Sequence, residues 1–315
     1  MARPAAVLAI AGMTASGKSE LGLALARSLG AEMITADSAQ VYRGLDIGTD
    51  KPTRAVRAQV AHHLLDVRAP GETFSVADYV CLAETAVVGI VARGAVPLLV
   101  GGTGLYVRQF LNGPQLAPVP PRPELRAELE ALSTAELHAE LERRDPESAG
   151  RIHPHNRQRL VRALEVCLAS GRPFSAFRQS EPQSRRPHLL VVLDRPSAVL
   201  RRRIAARVDR MLQGGLVSEV QGLLAAGVPA EAQAMQALGY RQTVRWLEHP
   251  TSLGALREDL VSATWAYARR QRTWFRRDTG ALWLDLGEHP AEAALERVLK
   301  AWAGTVGGSP PQPSA

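Results

Sequence analysis

The stretch AGMTASGKS, from Ala11 to Ser19, decides the fold that we predict for the chain. A glycine, four further residues and then Gly-Lys-Ser is the spacing of a phosphate-binding loop. The apolar run AAVLAIA precedes it at residues 5–11, as a buried strand of a parallel sheet would. SELGLALARSLG follows at residues 19–30, with apolar residues at helical spacing and Gly30 as a stop. Strand, glycine loop and helix in this order are the context that a phosphate loop requires.

The loop residues have the chemistry to hold a phosphate or a diphosphate. Gly12 and Gly17 permit backbone angles that turn successive N–H groups inward, towards the positive end of the following helix. Lys18 adds a compact positive charge, and Ser19 offers a hydroxyl ligand for Mg²⁺. Thr14 offers a hydroxyl donor to a bridging oxygen. The loop does not indicate which molecule carries the phosphate.

Further strand and turn signals predict an α/β fold. AEMITADS, residues 31–38, predicts a second strand that ends at Asp37 and Ser38. VPLLVGGTGLYVRQFL, residues 96–111, repeats the order of strand, glycine turn and helix. RPHLLVVLD at residues 186–194 and ALWLDL at residues 281–286 predict later strands. This alternation predicts a parallel sheet with helices on both faces, as in P-loop NTPases.

A Pro-rich stretch predicts the domain organisation. NGPQLAPVPPRP, residues 112–123, ends the alternation of strand and helix, and a helical pattern follows it. The pattern from Pro196 to Asp278 is also mostly helical, and PAEAALERVLKAWAG at residues 290–304 predicts a closing helix. The predicted parts are an α/β core of residues 1–112 and 186–303, a helical insertion of residues 113–185 and a disordered tail of residues 304–315.

The charge balance favours an acidic partner. The net charge is +7, with three lysines and 35 arginines, which suits a nucleic-acid partner. A surface of solvated helices gives the same balance, so basicity alone does not decide between the two. Cys81 and Cys167 lie far apart in apolar sequence and predict buried thiols in a reducing compartment. No apolar run approaches the roughly 20 residues of a membrane span. We expect a soluble cytoplasmic protein with no membrane partner.

Asp37 is a candidate catalytic residue, because it ends a predicted strand at the edge where α/β sheets bind ligands. A carboxylate there can hold Mg²⁺ or accept a proton from a nucleophile. It can equally cap a turn, since Asp and Ser favour such positions. Gln40 offers both a donor and an acceptor, as the reading of a base requires. Thr103 lies at another strand-to-helix turn, where it either contacts a ligand or caps a helix.

Several stretches in a fixed order resemble one family, the tRNA dimethylallyltransferases, also called isopentenyl-tRNA transferases. They are GMTASGKS, DSAQVYRGLDIGTDKP, HHLLDV, FSVADY and GGTGLY, followed by QRLVRALEV, QALGYRQ and RRQRTWFRR. The resemblance covers residues 5–285. It implies that the loop holds the diphosphate of dimethylallyl diphosphate, with Mg²⁺, and does not hold ATP. It also implies that the prenyl group moves to N6 of the adenosine at tRNA position 37, directly 3′ of the anticodon.

The resemblance implies a role for individual residues. Asp37 would accept a proton from the adenine amine, while Lys18 and Thr14 would stabilise the departing diphosphate. The implied diphosphate ligands are Gly12, Met13, Thr14, Ala15, Ser16, Gly17, Lys18, Ser19 and Arg241. The implied tRNA contacts are Asp37, Ser38, Ala39, Gln40, Thr103, Arg126, Gln158, Arg159, Leu160, Val161, Arg162, Gln236, Ala237, Leu238, Gly239, Tyr240, Arg241, Arg269, Arg270, Gln271, Arg272, Thr273, Trp274, Phe275 and Arg276.

These residue types suit an anticodon stem-loop. Arginines hold phosphates, and aromatic rings stack unpaired bases. Without the resemblance, the same stretches also fit solvated helix faces with aromatic residues in the core. Three positions depart from the usual pattern of the family: Met13 replaces Pro, Ser19 replaces Thr and Ala39 replaces a larger residue. None of these departures removes a catalytic group.

Two other functions share part of this pattern. A small-molecule or nucleotide kinase also has the glycine loop and an Asp after the second strand. An RNA-binding NTPase would hydrolyse a nucleotide and leave the RNA unchanged. A kinase does not account for the helical insertion or for the arginine-rich helices. We expect a monomer.

Overall fold

The computed structural model describes residues 5–113, 119–177 and 186–306. Within these ranges the chain has one six-stranded sheet in the order β3-β2-β4-β1-β5-β6, and every neighbouring pair is parallel. The strands are β1 (Val7–Gly12), β2 (Ala31–Ala36), β3 (His62–His63), β4 (Val96–Gly101), β5 (His188–Asp194) and β6 (Leu282–Asp285). The α/β class is therefore confirmed. Strand β3 was not predicted, because two residues are too few to show a hydrophobic pattern.

Helices account for most of the other described residues. They are α1 (Lys18–Leu29), α2 (Arg54–Gln59), α3 (Val76–Ala92), α4 (Gly104–Asn112), α5 (Pro123–Ala131), α6 (Thr134–Arg144), α7 (Pro146–Arg151), α8 (Arg157–Ser170), α9 (Ser197–Gln213), α10 (Leu216–Ala225), α11 (Tyr240–Glu248), α12 (Leu253–Phe275) and α13 (Leu295–Val306). Two 3₁₀ turns lie at Phe174–Phe177 and Ala291–Ala294. In the described ranges no helix is both long and apolar enough to span a bilayer. Helix α13 includes three residues of the segment predicted as a tail, whose other residues, 307–315, lie outside the described ranges.

Both faces of the sheet are covered, as predicted. In β1, Val7, Ala9 and Ala11 face a core that α3, α4, α11 and α12 complete. Leu8 and Ile10 point to the opposite face, where α1 and α13 cover them. All five side chains are at most 1% exposed. A strand buried on both faces explains why this stretch is continuously apolar and does not alternate with polar residues.

The chain divides into two compact units, Met1–Leu111 with Arg185–Ala315, and Asn112–Ser184. The first unit contains the whole sheet. The second lies in sequence between α4 and β5 and consists of α5 to α8, with a core that includes Leu137, Leu141, Leu160 and Leu164. The predicted fold class, an α/β sheet with an inserted helical subdomain, is confirmed.

The two cysteines differ in burial. Cys167 is buried in α8, whereas Cys81 is exposed on α3, so the prediction of two buried thiols is wrong for Cys81. The buried face of α3 carries Tyr79, Ala83 and Val87, four residues apart, and position 81 lies on the opposite side. The apolar composition around Cys81 suggested burial, but the helical period decides which residues face the core.

Three predicted ligand-binding stretches meet at one edge of the sheet. Strands β2, β4 and β1 are neighbours, so the turns after their carboxyl ends lie side by side. The backbone N–H of Thr103, after β4, donates to the carbonyl of Ala36 at the end of β2 (3.1 Å). This approach leaves no room for a side chain at position 101, since a Cβ on Gly101 would lie 2.1 Å from the Ala36 oxygen. The sheet thereby brings the phosphate loop together with the Asp37 turn.

Candidate active site

The phosphate loop joins β1 to α1 at this edge. Gly12 has φ +133°, and a Cβ there would lie 2.3 Å from the carbonyl oxygen of Leu193 on β5, so only glycine fits. Helix α1 begins at Lys18 and directs the positive end of its dipole at the loop. Lys18 Nζ donates to the Met13 carbonyl at 2.7 Å, which folds the ammonium back over the loop. The geometry is that of an anion cradle.

Two arginines, one just before α9 and one within it, bind carbonyls of the loop. Arg195, which is 1% exposed, donates from Nε to the Ser16 carbonyl at 2.9 Å. Arg203 donates from Nε to the Ala15 carbonyl at 2.8 Å. These two bonds hold the loop backbone in place. The N–H groups of Thr14 and Ser16 are engaged within the protein, so the N–H groups at the start of α1 are the ones that can face an anion.

Gln271 on α12 joins the phosphate loop to the turn after β4. Its Oε1 accepts the Thr14 N–H at 2.8 Å, and its Nε2 donates to the Gly102 carbonyl at 2.9 Å. The side chain is almost fully buried. Gln271, which is predicted as a tRNA contact, therefore also braces two walls of the site.

Asp37 lies directly after β2 and is partly exposed. Its Oδ1 accepts the backbone N–H groups of Ala39 (2.8 Å) and Gln40 (3.2 Å). The turn-cap interpretation is therefore correct for this oxygen. No hydrogen bond from the described residues reaches Oδ2, and Asp37 lines the same cavity as Lys18. One oxygen thus fixes the carboxylate in place, while the other remains available for a proton or a cation.

Thr103 and Tyr267 complete the wall beside Asp37. The Thr103 hydroxyl accepts the backbone N–H of Ser38 at 3.1 Å, which joins the turns after β4 and β2. Tyr267 on α12 lines the same cavity as Asp37 and Gln271. Burial, and secondarily the Asp37 charge, raise the pKa of Tyr267 to about 12, so this hydroxyl stays protonated. Tyr267 was not predicted as a site residue, although it lies one helical turn before Gln271.

These elements enclose a cavity of about 590 Å³, within the range of small-molecule sites. The predicted residues that line it are Thr14, Lys18, Ser19, Asp37, Ser38, Ala39, Gln40, Gln236, Ala237, Leu238, Arg241, Arg270 and Gln271. The lining does not include the predicted residues Gly12, Met13, Ala15, Ser16, Gly17 and Thr103; Met13 is fully buried beside Leu200 and Ile204. The phosphate loop, the Asp37 turn and the start of α11 therefore border one space.

The cavity favours an anion. Arg207 on α9 lines it together with Lys18 and Arg241, and all three are cationic residue types. Burial, with added repulsion from Arg207, lowers the pKa of Lys18 to about 7, while the Asp37 charge opposes this shift. Arg207 was not predicted, since no local pattern in an arginine-rich helix distinguishes one arginine from its neighbours. A partly buried ammonium with a lowered pKa indicates a site in which an anionic ligand restores its charge.

The oxygen donors at this site suit a weakly held Mg²⁺ better than a caged metal. The described residues include no group of three or more His, Cys, Asp or Glu side chains that could hold a metal ion. Mg²⁺ commonly needs only one or two protein oxygens, because water and substrate phosphates supply the rest. Ser19 and Asp37 both line the cavity and offer such oxygens. These two residues fit Mg²⁺.

The predicted tRNA contacts on α12 fall into two groups. Arg269, Arg270, Thr273 and Arg276 are exposed. Arg272 instead pairs with Asp194 (2.6 Å), and Trp274 packs beneath Arg108, whose guanidinium lies 5.0 Å from the ring centroid. Phe275 is fully buried, so the prediction that its ring stacks on a base is wrong.

Of the predicted tRNA contacts at residues 236–241, some line the cavity and others lie in the core. Gln236, Ala237, Leu238 and Arg241 line the cavity. Gly239 is buried, and Tyr240 is 0% exposed. A side-chain contact from Tyr240 to tRNA was therefore wrongly predicted, because the burial of a helix end depends on tertiary packing.

In the inserted unit, the predicted contacts surround a buried carboxylate. Glu165 on α8 is 0% exposed and accepts from Arg126 and Arg162, each at 2.7 Å. Gln158 and Arg159 are exposed at the start of the same helix. Leu160 and Val161, which were predicted as tRNA contacts, lie in the core of this unit, so their side chains do not face outward.

A family model described as IPP transferase matches residues 40–278, and a second, described as isopentenyl transferase, matches residues 5–73. The chain belongs to the IPP transferase family. The first of these matches covers the Asp37 turn from Gln40 onward, the inserted unit and helices α9 to α12. The second covers the phosphate loop. Family and fold class, both expected from the sequence, are confirmed.

Proteins described as tRNA dimethylallyltransferases are similar to this chain over most of its length. A tRNA dimethylallyltransferase of Chloroflexus aggregans is 46% identical over 275 residues, which is 86% of this chain and 93% of its own. One from Salinispora arenicola is 45% identical and covers 94% of this chain and 87% of its own. Because most of each chain is covered, the similarity extends well beyond the phosphate loop.

Solved structures agree with the fold. The tRNA isopentenylpyrophosphate transferase of Bacillus halodurans has a TM-score of 0.73 at 35% identity, over 96% of this chain and 97% of that chain. A eukaryotic dimethylallyltransferase acting on tRNA has a TM-score of 0.82 over 98% of this chain and 82% of that chain. At 24% identity the second shows a shared fold.

Proposed function

We propose that this IPP transferase is a tRNA dimethylallyltransferase, which moves the dimethylallyl group of dimethylallyl diphosphate to N6 of adenosine 37 and releases diphosphate. The observation that carries the proposal is a single cavity bordered by the phosphate loop and by the free oxygen of Asp37. A kinase reaction needs the same loop, but the family of this chain and the names of its relatives favour prenyl transfer.

The diphosphate of the donor binds in the phosphate loop. The N–H groups at the start of α1 receive its oxygens, and Lys18, Arg207 and Arg241 supply charge. These charges matter most as the C–O bond breaks, when negative charge collects on the leaving diphosphate. Mg²⁺, when bound near Ser19, would neutralise part of that charge. The hydrocarbon chain finds apolar lining at Leu23, Val56 and Val100.

Asp37 acts on the other substrate. The exocyclic amine of adenine is a weak nucleophile, since its lone pair is delocalised into the ring. As N6 bonds to C1 of the prenyl group and the C1–O bond breaks, a proton leaves N6, and Asp37 Oδ2 accepts it. The bonds from Ala39 and Gln40 to Oδ1 hold the carboxylate in register for that transfer. Gln40 and Tyr267 border the same space and orient the base, and Thr103 holds the Ser38 turn beside it.

The tRNA must present this adenosine unstacked from the anticodon loop. Exposed arginines at Arg269, Arg270 and Arg276 on α12 and at Arg159 in the inserted unit supply phosphate contacts. Arg272, Tyr240 and Phe275 act indirectly by supporting the exposed residues beside them. We expect a single chain to be the active unit.

The test is transfer to a defined RNA. Purified protein, Mg²⁺ and dimethylallyl diphosphate are incubated with an unmodified anticodon stem-loop, and the digested nucleosides are analysed by mass spectrometry. The expected product is N6-isopentenyladenosine from the adenosine 3′ of the anticodon. A stem-loop with guanosine at that position is the matched control and should give no product. Unmodified RNA from the first stem-loop would refute the proposal.

A further inference from the structure

Glu219 on α10 accepts four hydrogen bonds. Its Oε2 accepts the backbone N–H groups of Asp46 (3.0 Å) and Ile47 (2.8 Å). Its Oε1 accepts the N–H of Gly48 (3.2 Å) and the hydroxyl of Tyr240 (2.5 Å). An ionised carboxylate has about four such acceptor sites, so this one is saturated. A single side chain thus ties three successive loop residues to the first residue of α11.

The contact between the Asp46–Gly48 segment, Glu219 and Tyr240, here called the joint, is closely packed. A Cβ on Gly48 would lie 2.5 Å from the Tyr240 ring and 2.9 Å from Leu216, so the loop backbone rests directly on the ring. Tyr240 is 0% exposed. Burial and the adjacent Glu219 carboxylate raise its pKa well above the ordinary value, which keeps the hydroxyl a donor. Gly239, with φ +95°, permits the backbone to enter α11 at this point.

The loop held by Glu219 continues into the wall of the active site. The Thr49 carbonyl accepts from Gln40 Nε2 (3.0 Å) and from Arg207 Nη2 (3.2 Å). Asp50 pairs with Arg207 at 3.3 Å. Gln40 and Arg207 both line the cavity. The position of the Asp46–Gly48 segment therefore decides where these two side chains point.

The other end of the joint controls a second wall. Arg241 follows Tyr240 and lines the cavity. Glu219 itself is not among the residues that line the cavity. Glu219 contacts the Asp46–Gly48 segment and Tyr240, which adjoin the cavity residues Arg207 and Arg241. Its effect on a ligand therefore passes through these two arginines.

We propose that Glu219 is a positioning residue for the diphosphate site, which fixes Arg207 and Arg241 at the spacing that a diphosphate needs. Preorganised charges bind a ligand without reordering, whereas charges on loose segments lose part of that advantage. The inference rests on the proposed function in taking a diphosphate as the ligand. It does not depend on prenyl transfer taking place.

The test compares Glu219→Gln with the wild-type protein in the binding of inorganic pyrophosphate, by calorimetry with Mg²⁺ and well below the melting temperature. The amide keeps one acceptor oxygen and turns an NH₂ towards backbone N–H groups, so the joint loosens. The dissociation constant should rise roughly tenfold or more, as expected for the loss of hydrogen bonds to a charged group. Glu248→Gln, the same change at an exposed position on α11, is the control and should bind as the wild type does.

A purely structural role predicts a different result. Glu219→Gln would then melt at a lower temperature but bind pyrophosphate within about twofold of the wild type, and that outcome would overturn the inference. If the variant does not fold, Tyr240→Phe removes the hydroxyl bond alone and should weaken binding by a smaller factor. Unchanged binding by a folded Tyr240→Phe protein would then count against the inference.

Transfer assays keep the two proposals apart. If the wild type prenylates RNA, Glu219→Gln should show a raised KM for the donor and also a lowered kcat, because Arg207 and Arg241 act on the leaving diphosphate as well as on the bound donor. Weaker pyrophosphate binding in the variant, with no RNA prenylated by the wild type, would refute the proposed function and leave the role of Glu219 standing.

Discussion

Donor binding should weaken as the pH rises, because Lys18 loses its charge near neutrality in the free protein. Burial lowers its pKa to about 7, and Arg207 contributes in the same direction. About half of the free molecules then carry a charged Lys18 at pH 7, and about 1% do so at pH 9. A bound diphosphate favours the ammonium, so its pKa rises in the complex. Affinity is therefore present below the pKa of the free protein and falls as the pH rises through it.

The magnitude follows from those populations. If only the charged form binds strongly, the dissociation constant should rise about 50-fold from pH 7 to pH 9, which corresponds to about 2.3 kcal/mol. The donor contributes little to this change, since its phosphate groups titrate mostly below pH 7, near a second pKa of about 6. Binding at pH 8 should take up nearly one proton per site.

Calorimetry with dimethylallyl diphosphate and no RNA measures both quantities. Titrations at pH 7, 8 and 9, in buffers of different ionisation enthalpy, give the affinity and the number of protons taken up. Lys18→Met is the control and should bind weakly with little dependence on pH. An affinity that stays within about twofold from pH 7 to pH 9, with no proton uptake, would refute the assignment of Lys18 as the titrating ligand of the diphosphate.

Three further substitutions test separate parts of the account. Asp37→Asn cannot accept a proton, so single-turnover transfer should fall by on the order of 10² to 10⁴ while filter binding still detects tRNA; transfer at the wild-type rate would exclude Asp37 as the base. Gly101→Ala places a Cβ 2.1 Å from the Ala36 oxygen, so denaturant unfolding should show a lower free energy of unfolding. The control is Gly222→Ala, whose Cβ meets no heavy atom within 4 Å and which should not lose stability. The loss for Gly101→Ala should be on the order of 1–3 kcal/mol. Glu165→Gln leaves two arginines without their buried carboxylate, so amide exchange in α8 should accelerate; unchanged protection would contradict a supporting role for Glu165.

The fold was predictable where local sequence determines it. The apolar run of β1, the glycine loop and the stop at Gly30, which has φ +58°, identify a strand, a turn and a helix without tertiary information. Which residues of a helix are buried depends on tertiary packing, and local sequence does not determine it. Cys81 lies among apolar neighbours yet faces outward, and Phe275 lies within an arginine-rich stretch yet is buried in the core.

The candidate site was predictable where its residues adjoin a strand end. Asp37 and the phosphate loop follow β2 and β1, and the topology of parallel strands brings such turns together. Arg207, Tyr267 and Glu219 lie within helices far away in sequence, and no local pattern marks them. Their roles follow from contacts across more than 150 residues, such as those between Arg207 and Thr49 or between Glu219 and Ile47.

The central claim is that the phosphate loop serves a prenyl donor and not a nucleotide. Its most direct test supplies the protein with Mg²⁺ and unmodified tRNA, together with either dimethylallyl diphosphate labelled in the prenyl group or ATP labelled in the γ-phosphate. The account predicts that label passes from the prenyl donor into adenosine and that ATP is left intact. Consumption of ATP with no prenyl label in the RNA would contradict the account and indicate a kinase or an NTPase.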